Sequence, residues 1–351
     1  MTTDTSPYLR ELVRLDRRFG VLLGMGVTLP DALTALEGDA SPAFRPLIAF
    51  LRERVEAGES LADSLMVHPE VTPAIFRDWA RLAEETGALD VGAQEIAELL
   101  EPLALGGGDL QLGWEKAEAA ISLIQFTRRC AELLDKGLEW WRVLYLLERE
   151  APPTFANLIK ELLLKRNDER GGFVVLWQRM AEYPQIFSPF YREMIRLGWE
   201  AHVMDELTRA LSDLLYEDWM LARRTRCYPE RASLIVDHGM PPAANWAELT
   251  APQAQLTTIL FCRAASHLLT MGFDPEEVLT ACALLLPQAQ RDALPAHWEH
   301  TGGDMALTLD TLNCFPPFIT ALLFSGQTRG RLEYAFQQAA TVLRDEMEVG
   351  L

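Results

Sequence analysis

The sequence predicts an all-α fold of three tandem helical bundles. Apolar residues recur at helical spacing with no convincing strand alternation, and one glycine-ended helical pattern is written three times along the chain. Length agrees: 351 residues, 49% hydrophobic and 24% charged, suit two or three compact units that each bury a core.

The repeated pattern is specific in its spacing. Leu15, Arg17, Leu22, Leu23, Gly26, Val27 and Leu33 are matched by Phe126, Arg128, Leu133, Leu134, Gly137, Leu138 and Leu144. The same intervals separate Phe261, Arg263, Leu268, Leu269, Gly272, Phe273 and Leu279. Phe19, Cys130 and Ala265, four places after the first member, complete an i, i+4, i+7, i+8 stripe, so each set reads as an amphipathic helix closed by glycine. The final leucine is then the core anchor of a second helix. The recurrent Arg17, Arg128 and Arg263 lie about 200° around the helix from the first apolar residue, off the core stripe, where they suit hydrogen bonds to a neighbouring helix or a protein partner.

Caps set the other boundaries. Thr28-Leu29-Pro30-Asp31 reads as an N-cap with an acidic third helical position, and Ser41-Pro42 and Thr72-Pro73 read as hydroxyl caps before a first-turn proline. Asp274-Pro275-Glu276-Glu277 adds two carboxylates to the positive end of a helix dipole. Gly87, like Gly26, Gly137 and Gly272, sits where a helix should stop.

A second signal lies downstream. Leu65, Met180 and Leu312 each precede a proline by four residues, at Pro69, Pro184 and Pro316. Beyond them come the segments Ala83 to Leu89, Gly198 to Met204 and Gly326 to Leu332, the third requiring a four-residue gap in the alignment. Linkers rich in Pro and Gly, Glu101 to Asp109 and Tyr228 to Pro252, divide the chain into bundles at 1–105, 112–228 and 250–351.

Charge and cysteine usage exclude several functions. The formal net charge of −19 repels nucleic acid and anionic lipid. Residues 1–105 carry 9 basic against 18 acidic groups, 106–228 carry 17 against 19, and 229–351 carry 6 against 14, so the balances are −9, −2 and −8. Cys130, Cys227, Cys262, Cys282 and Cys314 are odd in number and never form a C-x-x-C pair, which fits reduced thiols in a cytoplasm rather than disulfides or zinc. Met1-Thr2-Thr3-Asp4 carries no basic start before an apolar run, and nowhere do about 18 apolar residues follow one another, so neither a signal peptide nor a membrane span is expected.

No catalytic constellation assembles from the sequence. His297-Trp298-Glu299-His300 offers two imidazoles at i, i+3, but no third ligand can be named. Glu84 and Glu85 point to different sides of a helix. Gly106-Gly107-Gly108-Asp109 lacks the Lys-Ser/Thr of a phosphate loop and reads as a hinge. Neither a catalytic residue, a metal ligand set nor a cofactor site is therefore assigned.

Leu22-Leu23-Gly24-Met25-Gly26-Val27, Val55 to Leu61, His68-Pro69 and Glu84-Glu85-Thr86-Gly87-Ala88-Leu89 together resemble the type II secretion system F domain. This domain forms the cytoplasmic parts of the inner-membrane platform protein of type II secretion and type IV pilus machines. The resemblance implies six-helix bundles, close over the first copy and weaker over the second and third. It also implies protein partners: a motor ATPase, a platform component, or another copy of the same chain. Platform proteins follow such domains with membrane spans, whereas this chain has a Gly-rich stretch after Leu100 and Arg223, Arg224 and Arg226 after Trp219. Those arginines occupy the place of positive-inside charge, so they are candidate contacts to a partner or a headgroup surface, or else a solvated helix end. The expectation is a non-enzymatic scaffold in the cytoplasm, at most peripheral to the inner membrane. A helical-repeat adaptor unconnected with secretion, and a metal enzyme using His297 and His300, are the alternatives.

Overall fold

A computed structural model describes residues 6–67, 110–151, 153–164, 176–184, 186–224, 245–313 and 315–349, together with residues 80, 81, 83, 84, 87, 89, 90, 92–94, 96 and 97. The regular elements among them are helices, and no strand is present among the described residues. The chain divides into two compact units, Met1–Ser122 and Leu123–Leu351.

In the first unit α1 (Ser6–Gly24), α2 (Leu29–Asp39), α3 (Arg45–Glu56) and α4 (Leu61–Leu65) pack in sequence. Leu15, Phe19, Leu33, Leu36, Ile48 and Leu51 are each at most 7% exposed and form the core. Helical residues lie on both sides of Gly87, and Ala93 and Ile96 are buried there. Gly20 lets α1 approach this segment, since a Cβ at that position would stand 2.7 Å from the Asp90 carbonyl oxygen.

The helices that continue into and through the second unit are α5 (Leu110–Asp135), α6 (Trp140–Glu150), α7 (Pro153–Leu164), α8 (Leu176–Met180), α9 (Pro189–Glu200) and α10 (Met204–Arg224). They are followed by α11 (Ala251–Thr270), α12 (Pro275–Ala283), α13 (Gln288–His300), α14 (Met305–Thr311), α15 (Pro317–Thr328) and α16 (Leu332–Val349). The lengths run in parallel: α3 and α7 have 12 residues each and α13 has 13, α4 and α8 have 5 each, and α9 and α15 have 12 each. Within the second unit α10 packs on α11 and α9 on α12, so the segments on either side of residues 228–250 share one compact body.

Three helix ends share one geometry. Gly26, Gly137 and Gly272 have φ of 82°, 78° and 87°. In each case the glycine N–H donates three residues back, to Leu23, Leu134 or Leu269, and the next N–H donates five back, from Val27 to Leu22, Leu138 to Leu133 and Phe273 to Leu268. This pair of bonds is the Schellman motif, which satisfies carbonyls that a helix end leaves open. Nothing lies within 4 Å of a Cβ built on any of the three glycines, so backbone conformation rather than space requires them. Leu33, Leu144 and Leu279, on the helices that follow, are each at most 2% exposed.

The aligned third turn repeats the conformation with one change of residue. Gly87, His202 and Gly330 have φ of 69°, 60° and 64°. His202 is thus an L-residue in left-handed backbone space, at a cost of about 1 kcal/mol. His202→Gly is expected to raise stability by about 0.5–1 kcal/mol, read as a shift of the urea midpoint with unchanged slope.

One expected cap moves. Ser41-Pro42 does not open a helix: α3 begins at Arg45 after Phe44, with Pro46 in its first turn. The Ser41 carbonyl instead accepts from Phe44 N–H and Arg45 N–H, while its own N–H donates to Glu11 Oε1 at 2.7 Å. Two prolines compete to start this helix, and the contact to α1 settles the choice. Thr28 and Asp274 do cap α2 and α12, the latter in a capping box with Glu277. Thr72-Pro73 and the linker 101–109 lie outside the described residues, as does most of the second linker.

Candidate interaction site

The sites suggested by the sequence are surfaces, so what matters is which polar groups tie the bundles and which faces stay uncovered. One tie recurs. Glu84 accepts from two first-turn N–H groups of α4, from Leu61 and, at 3.0 Å, from Ala62. Gln327 stands at the aligned position of α15, and its Oε1 accepts from Ala306 N–H at the start of α14 at 2.9 Å. Between them in sequence, the aligned Trp199 of α9 meets Trp177 of α8 edge-on at 6.2 Å, with Trp140 at 5.7 Å on its other side. Glu84, Gln327 and Trp199 thus each contact a short helix, α4, α14 and α8, twice by capping first-turn donors and once by aromatic contact.

Glu84 is thereby occupied in structure rather than chemistry. Removing it leaves two helix-terminal donors without their acceptor, so Glu84→Ala is expected to cost about 1–3 kcal/mol, and Glu84→Gln less, in urea unfolding.

The recurrent arginines diverge in what they do. Arg17 is exposed on α1. Arg128 lies 3.7 Å from Glu132 within α5. Arg263 reaches across from α11 to Glu217 on α10, Nε to Oε2 at 3.3 Å, with both side chains about one-fifth exposed. Around that pair burial pushes the Glu217 carboxyl above its ordinary value against the pull of Arg263 and Arg344. The Asp213 carboxyl is raised by burial too, opposed by His267, Arg128, Arg209 and Arg263. Burial holds the His267 imidazole below its ordinary value despite Asp213, which favours the neutral ring at pH 7. The seam between α10 and α11 is therefore a partly dehydrated polar contact.

A cleft of about 430 Å³ lies between α9 and α12, lined by Glu193, Arg196, Asp274, Glu276, Glu277 and Thr280. Arg196 bonds Glu193 and also pairs with Glu200, and these carboxylates, with Glu277, raise its pKa.

Gly26, Gly137 and Gly272 form the turns, and Leu33, Leu144 and Leu279 the core. Arg223 and Arg224 close α10, and Arg226 lies outside the described residues. His297 Nδ1 meets Thr311 Oγ1 at 2.9 Å. Among the described residues no group of three or more His, Cys, Asp or Glu could hold a metal ion. Cys130 and Cys282 are buried, and burial raises both thiols far from a reactive thiolate. Glu217, Asp213, His267 and Gln327 were not singled out by sequence: the repeated arginine marks the seam, but a partner 46 residues away has no spacing rule.

These features define a class: an all-helical protein of short helices, joined by glycine-closed turns and tied through helix ends. No helix among the described residues is long and apolar enough to cross a membrane. Residues 17–104 match the family model of the type II secretion system (T2SS), protein F. The chain is 35% identical over 92 residues to the type II secretion system protein F of Aeromonas hydrophila, covering 26% of this chain and 24% of that protein. It is 29% identical over 99 residues to the type IV pilus assembly protein PilC of Thermus thermophilus, 28% of this chain and 24% of that one. With the protein F of Vibrio cholerae it shares 29% identity over 92 residues, 26% and 23% of the two chains. The chain thus spans about a quarter of the length of the curated relatives it matches.

Proposed function

We propose that the chain is a scaffold of three F-type helical bundles, at 1–105, 112–228 and 250–351, that binds protein components of a secretion or pilus machine. The observation that carries the functional part is the match of residues 17–104 to the protein F model together with the likeness to both a secretion and a pilus protein. The extension to three bundles is supported by the threefold glycine turn, the parallel helix lengths and the tie from Glu84, Trp199 or Gln327 to the short fourth helix. The scaffold acts without catalysis or cofactor, in the cytoplasm or against the inner face of the membrane. Arg223, Arg224 and Arg226 are its proposed contacts to a partner or to headgroups.

Co-purification of the tagged chain from its native cells tests the function. Reproducible recovery of a motor ATPase or platform component is expected. Recovery of unrelated clients alone, with every secretion and pilus component absent, would instead favour a general helical adaptor. For the bundle boundaries, limited proteolysis read by mass spectrometry is expected to cut first within 101–109 and 228–244. First cuts inside α5–α9 or α11–α16 would contradict those boundaries.

A further inference from the structure

We propose that the outer face of α6 is a docking surface for an acidic segment of a partner protein, which Arg142 and Arg149 hold on either side of Tyr145. This deepens the scaffold reading and rests on it for the existence of a protein partner. The inner face of α6 is already used, since Val143, Leu144 and Leu147 are each at most 3% exposed. At about 100° per residue, Trp141, Arg142, Tyr145, Leu146 and Arg149 share an arc of about 140° on the other side. No carboxylate falls within that arc, and Glu148 lies just outside it. Arg142 and Arg149 are exposed, as are Tyr145 at 50% and Leu146 at 38%.

The two guanidiniums are held but not neutralised. Arg142 lies over the Trp141 ring at 5.1 Å and Arg149 over the Tyr145 ring at 4.9 Å, and Arg149 also donates to the Tyr145 hydroxyl at 2.8 Å. Neither meets a carboxylate among the described residues, whereas Arg52, Arg129, Arg196 and Arg209 each pair with one in the chain. In a protein with 51 acidic against 32 basic residues, two exposed cations without an acid leave room for one from outside. The start of α6 also departs from its counterparts. Aligned on Leu33, Leu144 and Leu279, the third helical position is Asp31 in α2 and Glu277 in α12, acids that suit the positive end of a helix dipole. In α6 that position is Arg142, the first turn holds no acid, and the N-cap Glu139 makes no capping bond. Tyr145 likewise stands where α2 and α12 carry Thr34 and Thr280. Helix stability alone would favour an acid at 142, so the arginine serves something beyond the helix.

The composition of the face says what that is. Aromatic side chains and arginine, with lysine and carboxylates sparse, make the centres of protein interfaces. A guanidinium stacked on a ring keeps N–H groups for a carboxylate, which it takes through paired bonds. Segment 106–228 carries only −2, against −9 and −8 for its neighbours, so an acidic partner meets the least repulsion there. A lipid surface fits less well: two cations fall short of the cluster of about four to eight that marks binding to anionic headgroups, and the chain as a whole carries −19.

A photo-cross-linking benzophenone amino acid at Leu146, on the edge of the arc, tests the proposal with the full chain in its native cells. Mass spectrometry identifies the captured molecule and the point of attachment. The expected product is a protein joined within a segment rich in Asp and Glu. Arg142→Glu combined with Arg149→Glu should lower its yield by at least about tenfold, and the paired Lys replacements by less, since they keep charge without the planar fork. Circular dichroism checks that each variant remains helical, and Arg149→Glu alone replaces the double reversal should that fail to fold. Capture of a second copy of this chain, attachment outside any acidic segment, no capture at all, or a yield indifferent to the reversal would overturn the proposal. So would reversal-sensitive sedimentation with phosphatidylglycerol and phosphatidylethanolamine vesicles in place of any captured protein. Reversal-sensitive capture of an acidic protein foreign to secretion and pilus machines keeps the surface and removes the assignment to those machines. Recovery of a secretion or pilus component that the double reversal leaves unchanged does the opposite.

Discussion

Phe261→Ala lowers the unfolding free energy of the second unit by about 3–5 kcal/mol, the range for truncating a fully buried aromatic. Phe261 is 0% exposed on α11, and its ring stands 5.1 Å from Phe315 and 6.3 Å from Phe336 of α16. The loss combines the transfer of the ring with a cavity left against Phe315 and Phe336. Polar ties flank the ring without replacing it: Gln255 donates to the Leu343 carbonyl and Ser266 to that of Glu333, both joining α11 to α16. Phe261→Leu should cost well under half as much, since most of the volume stays filled. Urea unfolding followed by circular dichroism measures both, and an Ala variant within about 1 kcal/mol of wild type would mean that the α11–α16 core is not packed as described.

Gly326→Ala is the second large effect, and its sign runs against helix propensity. In an open helix the change would stabilise by about 1 kcal/mol. Here a Cβ would stand 2.4 Å from the Ala335 Cβ of α16 and 3.1 Å from the Arg331 carbonyl oxygen, so the two helices would have to part. A net loss of about 1–3 kcal/mol is expected. Gly26→Ala makes the informative contrast. Its Cβ would meet nothing within 4 Å, but its φ is 82°, so a loss of about 1 kcal/mol there comes from backbone alone. A melt in which Gly326→Ala is stabilised would show that α15 and α16 do not approach so closely.

Local chemistry accounts for what could be read from the chain beforehand. Gly26, Gly137 and Gly272 were legible because a Schellman turn demands a left-handed residue, and the apolar stripe ahead of each fixes where that residue falls. Leu33, Leu144 and Leu279 followed because a helix restarting after such a turn presents its first large apolar residue to the core. Ser41-Pro42 misled because the cap rule sees only neighbours, while Glu11, 30 residues away, takes the Ser41 N–H and Pro46 offers a second start. The capping acceptors lay beyond such rules altogether. Gln327 serves a helix start 21 residues upstream, and Glu84 serves one 22 and 23 residues upstream. The Glu217–Arg263 pair is of the same kind: one partner repeats in the sequence, and the other is fixed only when α10 lies on α11.

The claim on which the rest depends is that one helix–glycine–helix unit is built three times. A crystal structure of the full chain tests it most directly, through residues 15–33, 126–144 and 261–279. The account predicts three superposable segments, each with a left-handed glycine and the paired bonds from Val27, Leu138 and Phe273 to the carbonyls five residues back. A negative φ at Gly137 or Gly272, or a continuous helix through either turn, would contradict it.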